Sequence, residues 1–467
     1  YIPDGEPYVF GDRVYIYGSH DEFNGREFCM NDYVCWSASV DDLSDWKYEG
    51  VIFKKSQDPE YSKKTLLFAP DVAKGADGRY YLYYSPKGRS VTGVAVSDTP
   101  SGPFDFYGYV SDCNEQVAWQ KDGDPFQFDP AVFVDDDGKV YLYTGFAPVS
   151  KFGFMIKKRF HKSFKGAYVV ELEDDMKTIK GDYKVIFKGT TNYTGLEYKD
   201  HEFFEASSMR KIGDTYYFIY SSKRSNELCY ATSNHPMGEF TYGGVIISIA
   251  DHYINGHVNP MMGYNYSGNT HGSIVKIKDE WYVFYHRQTN KHMFSRQAMA
   301  EKIEILDNRS IPQVEVTSCG LNGKPLEGKG EYEARIACHL MHSTGTGLYS
   351  FMKKKYKKHP YFTQTGKDKE NNPDQYIANF TNGCKAGFKY FDIAGTKEIS
   401  VNIKGTAEGT VYVLDGVVGK YVGEIGIAPS KDIKKFTGFL KIKDGKQALY
   451  FTFVGTGSFD FHSIILE

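Results

Sequence analysis

No stretch of this sequence approaches the ~20 consecutive apolar residues that cross a bilayer, so a membrane-spanning helix within it is not expected. An excess of one charge is missing too: 56 Lys and Arg against 59 Asp and Glu leave a net charge of −3. The densest basic run, KKKYKK from Lys353 to Lys358, is short and reads as a solvated loop, so no nucleic-acid partner is expected. Cysteine is sparse: seven residues at 29, 35, 113, 229, 319, 338 and 384, with no CxxC or zinc spacing. Scattered thiols fit a reducing compartment and predict a cytoplasmic location. A chain that starts at Tyr1 rather than Met still leaves room for a leader already removed. Helical periodicity is weak throughout, with no convincing amphipathic helix of about 12 or more residues.

Aromatic residues are plentiful, with 38 Tyr and 33 Phe against only 4 Trp. Such rings favour strands. They fall into a repeat: a polar head residue, a short apolar strand, a Gly/Asp turn, then an aromatic strand. The five copies are PDGEPYVFGDRVYIYGSHD, FAPDVAKGADGRYYLYYS, FDPAVFVDDDGKVYLYTG, HEFFEASSMRKIGDTYYFIYSS and NTHGSIVKIKDEWYVFYHRQ. Their heads are Asp4, Asp71, Asp129, Glu205 and His271. The aromatic strands begin roughly 60 to 76 residues apart, each roughly 9 to 11 positions after its head. A further hairpin-like segment follows each of the first four. Two hairpins per repeat predict an all-β fold, a five-bladed β-propeller spanning residues 1–316.

In a propeller the first strand of each blade runs along the central axis, so the five heads should converge on one pocket. Clustered carboxylates there admit three readings: paired acids for glycoside hydrolysis, a hard-metal site, or a structural ring. An acid flanked by Phe203, Phe204 and Ala206, as Glu205 is, should have a raised pKa suited to proton donation.

Beyond about Pro312 the pattern changes to short alternating strands such as QYIANF, KEISVNIKG and ALYFTFVG, which predict a β-sandwich over 317–467. This region has no Trp. Tyr361, Phe362 and Tyr376 are its candidate stacking residues, and bracing of the propeller is the other role it could have.

Taken in order, QFDPAVFVDDDGKVYLYTG, LFAPDVAKGADGRYYLYYS, FFEASSMRKIGDTYYFIYSS and THGSIVKIKDEWYVFYHR resemble glycoside hydrolase family 43. The C-terminal segment resembles a family 6 carbohydrate-binding module. The resemblance implies an inverting mechanism with Asp4 as general base, Asp129 as the acid that raises and orients the proton donor, and Glu205 as general acid. Glu6 is a rival to Asp4, because this chain reads Asp4-Gly5-Glu6-Pro7 where the family usually has Asp-Pro. It further implies Phe68 as a platform for the sugar, with Asp71, Arg296, His20 and Trp36 as substrate contacts. His271 would stand beside an axial Ca²⁺. The implied activity is exo-acting release of α-L-arabinofuranose from arabinoxylan or its oligosaccharides, a plant cell-wall substrate. The alternatives are a β-xylosidase on the same scaffold and a non-catalytic carbohydrate-binding propeller. The oligomeric state is left open.

Overall fold

A computed structural model of the protein describes residues 1–148, 151–189, 198–257, 263–347, 356–368, 370 and 374–467. Of the basic run 353–358, positions 353–355 lie outside the described residues. Among the described residues, five small antiparallel sheets and one large curled sheet hold most of the chain, with one α-helix of ten residues. Blade 1 contains β1 (Glu6–Phe10), β2 (Arg13–Tyr17), β3 (Tyr33–Ser39) and β4 (Asp42–Phe53). Blade 2 contains β5 (Leu67–Lys74), β6 (Tyr80–Pro86), β7 (Gly93–Ser97) and β8 (Asp105–Tyr109). Blade 3 is built from β9 (Ala131–Val134), β10 (Val140–Gly145), β11 (Gly166–Leu172) and β12 (Ile179–Lys188), with helix α1 (Lys151–Phe160) between β10 and β11. Blade 4 follows as β13 (Phe203–Ile212), β14 (Thr215–Ser222), β15 (Glu227–Ser233) and β16 (Thr241–Ser248). Among the described residues blade 5 has three strands, β17 (Ile274–Ile277), β18 (Glu280–Gln288) and β19 (Arg296–Ile303). Strand order in every blade follows chain order, so each is a meander. This is the five-bladed propeller that the repeat predicts.

The repeated turn has a steric reason. Between the first and second strands of blades 1 to 4 stand Gly11, Gly78, Gly138 and Gly213, all with positive φ between 58° and 85°. That left-handed conformation costs an ordinary L-residue strain.

The tyrosine richness of the second strands also has a reason. Tyr17 of blade 1 donates its hydroxyl to the Pro100 carbonyl at 2.6 Å, beside blade 2. Tyr83 of blade 2 reaches the Met176 carbonyl of blade 3. Tyr143 of blade 3 reaches the Pro236 carbonyl of blade 4 at 2.9 Å, and Tyr217 of blade 4 reaches that of Arg309, beyond β19, at 2.9 Å. Each second strand is sandwiched between neighbouring blades, and β6 and β14 are buried along their whole length. A buried ring adds apolar area, and its hydroxyl needs a partner, which the next blade supplies. Phenylalanine would fill the space without the tie.

Around the axis, β1 adjoins β5 and β17, and β9 adjoins β5 and β13. A parallel bridge pairs Gly5 with Gly272. Between blades 4 and 5, the Ser208 and Ser273 hydroxyls are hydrogen-bonded at 2.7 Å, and Arg210 Nε donates to the Ile274 carbonyl at 3.0 Å.

The chain divides into two compact units. The first is Tyr1–Ile247, Asn269–Arg287 and Arg296–Gln313; the second is Ser248–Gly268, Gln288–Ser295 and Val314–Glu467. In the second, a curled β-sandwich sheet encloses a core that includes Phe388, Phe391, Phe451, Phe453, Phe459 and Phe461. Phe362 belongs to that core, 5% exposed, and is not available to stack on a ligand. Tyr361 lies under Lys291 Nζ, 4.2 Å from its ring, and Tyr376 stacks on His462 at 4.7 Å. All seven cysteines are thiols.

Candidate active site

The heads stand where the inner strands begin and the backbone leaves regular strand geometry. Asp4 and Asp129 both have left-handed backbones, with φ of 58° and 45°. Glu205 sits between two register shifts in β13, and Ala206 after it has φ of 67°. Bulges of this kind turn a side chain away from the strand's regular alternation.

Asp4 is 5% exposed. Its Oδ1 accepts a hydrogen bond from Arg296 Nη1 at 2.8 Å. Its backbone N–H donates to His286 Nδ1 at 3.2 Å, while His286 Nε2 lies 2.8 Å from the Asn269 carbonyl. One nitrogen accepts and the other faces an acceptor, which fixes a neutral tautomer protonated on Nε2. Burial, followed by the charge of Arg296, pushes the His286 pKa down to about 3. Burial alone would raise the Asp4 pKa, but the charges of Arg296 and His271 hold it below the usual carboxylate value.

Arg296 is itself held from behind. Asp21 accepts from its Nε at 2.8 Å, its Nη2 at 3.0 Å and its backbone N–H at 2.9 Å. Phe28 lies against the guanidinium at 4.7 Å. Arg296 is 1% and Asp21 0% exposed, so the pair is a desolvated fork–carboxylate contact.

Asp129 is 4% exposed, and Oδ2 accepts from the Ala206 N–H at 3.2 Å. Burial pushes its pKa up to about 7; His271 opposes the rise and the charge of Asp4 adds to it. Glu205, the one partly exposed member of the three, has its pKa raised well above the usual value by desolvation and then by the charge of Asp129.

Beside these acids lies a second axial group. Glu6 is 1% exposed, and its Oε2 accepts from Arg210 Nη2 at 2.8 Å and from Ser208 at 3.0 Å. His271 places Nδ1 3.8 Å from Asp129 Oδ2 and Nε2 3.6 Å from Glu6 Oε1. Burial lowers the His271 pKa, but Glu6, Asp129 and Asp4 outweigh it and carry it up to about 9. Among the described residues, neither His271 Nε2 nor Glu6 Oε1 has a partner within hydrogen-bond distance. Their 3.6 Å spacing suits two adjacent ligands about 2.5 Å from one hard cation, so this donor pair fits the Ca²⁺ that the family resemblance implies.

The other expected contacts divide. Phe68 is partly exposed and meets Phe128 edge to face at 5.6 Å, at one end of a ring chain that continues through Phe146 to Phe204, beside Glu205. Asp71 is 1% exposed and spends its oxygens inside the propeller, accepting from Tyr8 at 2.7 Å, Val72 N–H at 2.8 Å and Val132 N–H at 2.7 Å. It ties blades 1, 2 and 3 together. His20 is buried, its Nδ1 2.8 Å from the Asp32 carbonyl. Trp36 stands on β3, two strands out from the axis, against Tyr48 at 5.2 Å; it is not among the residues that the heads bring together. Asp21, His286 and Arg210 escape the sequence reading. A buried arginine demands an acid, yet nothing in the sequence says which of 59 it takes.

The chain has relatives of known class. The family model for "Glycosyl hydrolases family 43" matches residues 3–309. A xylosidase/arabinosidase of Thermoclostridium stercorarium is 48% identical over 471 residues, covering 100% of this chain and 96% of that protein. An arabinoxylan arabinofuranohydrolase of Bacillus subtilis (strain 168) is 27% identical, covering 96% and 87%. Among solved structures, a Bacillus subtilis family 43 arabinoxylan arabinofuranohydrolase in complex with cellotetraose superposes with a TM-score of 0.51 at 23% identity, over 100% of this chain and 95% of that one. A Xanthomonas citri GH43_1 enzyme complexed with xylose gives 0.52 at 26%, over 67% and 90%. An axial acid cluster in a five-bladed propeller and a family match across all five blades lead to one conclusion: the chain is a glycosidase belonging to glycosyl hydrolases family 43.

Proposed function

We propose that the protein is an inverting, exo-acting α-L-arabinofuranosidase that removes arabinofuranose side chains from arabinoxylan or its oligosaccharides. The observation that carries the acid–base part is the divergence of two carboxylates in one pocket. Asp4 is held ionised by Arg296, while Glu205 is held protonated by desolvation and Asp129. Two titratable groups pushed apart in this way are an assigned base and an assigned acid. Glu205 protonates the glycosidic oxygen as the bond to the anomeric carbon breaks. Asp4 takes a proton from the water that attacks the opposite face, and the product sugar inverts. Asp129 holds the backbone beside Glu205 and keeps its proton on. The Arg210 ion pair that engages Glu6 supports Asp4, rather than Glu6, as the base.

For the axial ion, His271 Nε2 and Glu6 Oε1 would hold Ca²⁺, and His271 would give up its proton to bind it. When bound, the ion supplies positive charge beside the acids. A preference for arabinose draws support from the arabinoxylan arabinofuranohydrolases of Bacillus subtilis and Paenibacillus polymyxa, which align over 96% and 98% of this chain. β-Xylosidase activity is the second reading, favoured by the 48% identical relative, whose name couples xylosidase with arabinosidase.

The test is hydrolysis of nitrophenyl arabinofuranoside and nitrophenyl xylopyranoside side by side, with product configuration followed by NMR. Faster arabinoside cleavage with inversion is expected. Faster xyloside cleavage selects the second reading, and cleavage of neither leaves a non-catalytic carbohydrate-binding propeller.

A further inference from the structure

Blade 4 carries a second cluster of ligating side chains, which the acid–base chemistry does not use. His201 lies two residues before the start of β13, and Glu227 and Cys229 stand two apart on β15, facing the same side of the strand. Their donor atoms all lie within 4.8 Å of one another. His201 Nδ1 is 2.6 Å from Glu227 Oε1; Cys229 Sγ is 3.9 Å from that nitrogen and 3.7 Å from that oxygen. We infer that His201, Glu227 and Cys229 form a binding site for a divalent transition-metal cation of the zinc class, separate from the axial pocket.

The spacing is the first argument. A tetrahedral zinc with sulfur at about 2.3 Å and nitrogen or oxygen at about 2.0–2.1 Å sets S···N and S···O near 3.6 Å and N···O near 3.3 Å. The sulfur is therefore already close to position. Only the His201–Glu227 pair has to open, by roughly 0.7 Å, as the ion takes the place of the shared proton. One imidazole, one carboxylate and one thiolate with a fourth position left for water is a donor set that suits zinc, and the soft thiolate among them disfavours the hard Ca²⁺.

Preorganisation is the second. Glu227 is 1% and Cys229 0% exposed, both on a central strand of the blade. Ser222 Oγ donates to Glu227 Oε1 at 2.6 Å, and the Tyr220 hydroxyl donates to the His201 carbonyl at 2.7 Å. Tyr242 stacks on the His201 ring with centroids 5.5 Å apart. Such supporting contacts fix the orientation of ligands. Arg224 Nη1 stands 3.9 Å from the other Glu227 oxygen, Oε2, which leaves Oε1 turned to the cluster. The His201 side chain is 20% exposed, so solvent reaches the site from that side. An ion here would clamp the start of the strand that carries Glu205.

The experiment uses the whole chain, dialysed against a chelator and titrated anaerobically with Co²⁺ while its absorption is followed. One ion per chain is expected, with a near-ultraviolet thiolate-to-cobalt band that Zn²⁺ reverses and Ca²⁺ does not. Cys229→Ser should abolish the band. His201→Gln, at a partly exposed side chain and so a smaller risk to folding, should weaken binding about 10–100-fold. Cys113→Ser, at an exposed cysteine, should leave the band in place. A flat titration, a band that survives Cys229→Ser, or one lost in Cys113→Ser overturns the site and leaves His201 and Glu227 as a hydrogen-bonded clamp.

Discussion

Asp129 accepts a hydrogen bond, 3.2 Å long, from the backbone N–H of Ala206, the residue that follows Glu205. One carboxylate thus acts on its neighbour in two ways. Its charge disfavours ionisation of Glu205, and its oxygen pins the left-handed turn from which the Glu205 side chain projects.

Asp129→Asn separates the two effects, because the amide still accepts from Ala206 but carries no charge. In the proposed mechanism Glu205 acts in its protonated form, so activity should be lost as pH rises through its elevated pKa. Without the charge of Asp129 that pKa falls, and the alkaline limb of the kcat/KM profile should move to lower pH. An unchanged limb would show that Asp129 acts by geometry alone.

Replacing Glu205 or Asp4 by Ala should lower turnover of arabinoxylan oligosaccharides by about 10²–10⁴-fold. The leaving group distinguishes them. A nitrophenolate needs no protonation, so Glu205→Ala should recover much of its rate on nitrophenyl glycosides and Asp4→Ala should recover none. Equal recovery in both variants would overturn the assignment of acid and base.

Arg296→Met should act on stability and on pH dependence together. It leaves Asp21 buried without its cation, a loss of about 3–5 kcal/mol that urea unfolding would read. It also removes the main group holding the Asp4 pKa down, so the acid limb of kcat/KM should shift to higher pH. Asp21→Asn, measured alongside, should reproduce the stability loss without raising that limb.

His286 makes the fold sensitive to acid. Its folded pKa of about 3 lies below the ordinary 6.5, so the unfolded chain binds the proton first. Stability from this residue is complete above about pH 6.5 and is lost as pH falls towards 3. The melting temperature of wild type should drop between pH 6 and 4 more steeply than that of His286→Gln, which cannot titrate there.

Gly272→Ala tests the axial closure. A Cβ at this position would lie 1.9 Å from the Phe284 carbonyl oxygen, an impossible contact with backbone. Relief must push β17 away from Gly5 and displace His271, its neighbour in sequence. Activity should fall well before the melting temperature does; an unaffected rate would mean the bridge is slack.

Much of this protein is legible along the chain, because a repeat makes local chemistry recur. Four glycines at one turn, tyrosines on the second strands and polar heads on the first strands come from short-range pattern, and they specify blades, their number and the residues at the axis. Asp4, Asp129, Glu205 and His271 are found together because blade symmetry alone carries them there. What the sequence could not rank are contacts between residues far apart in the chain and outside the repeat. Asp21 lies in the connection after β2, yet it grips an arginine on the last described strand of the propeller. Glu6, two residues from Asp4, turns instead to Arg210, more than two hundred positions away. Trp36 looks like a sugar contact by residue type and stands two strands out from the axis. The physical reason is common to all three. A strand's period says which face a side chain takes, but only the closed ring decides which desolvated charges must find each other across it.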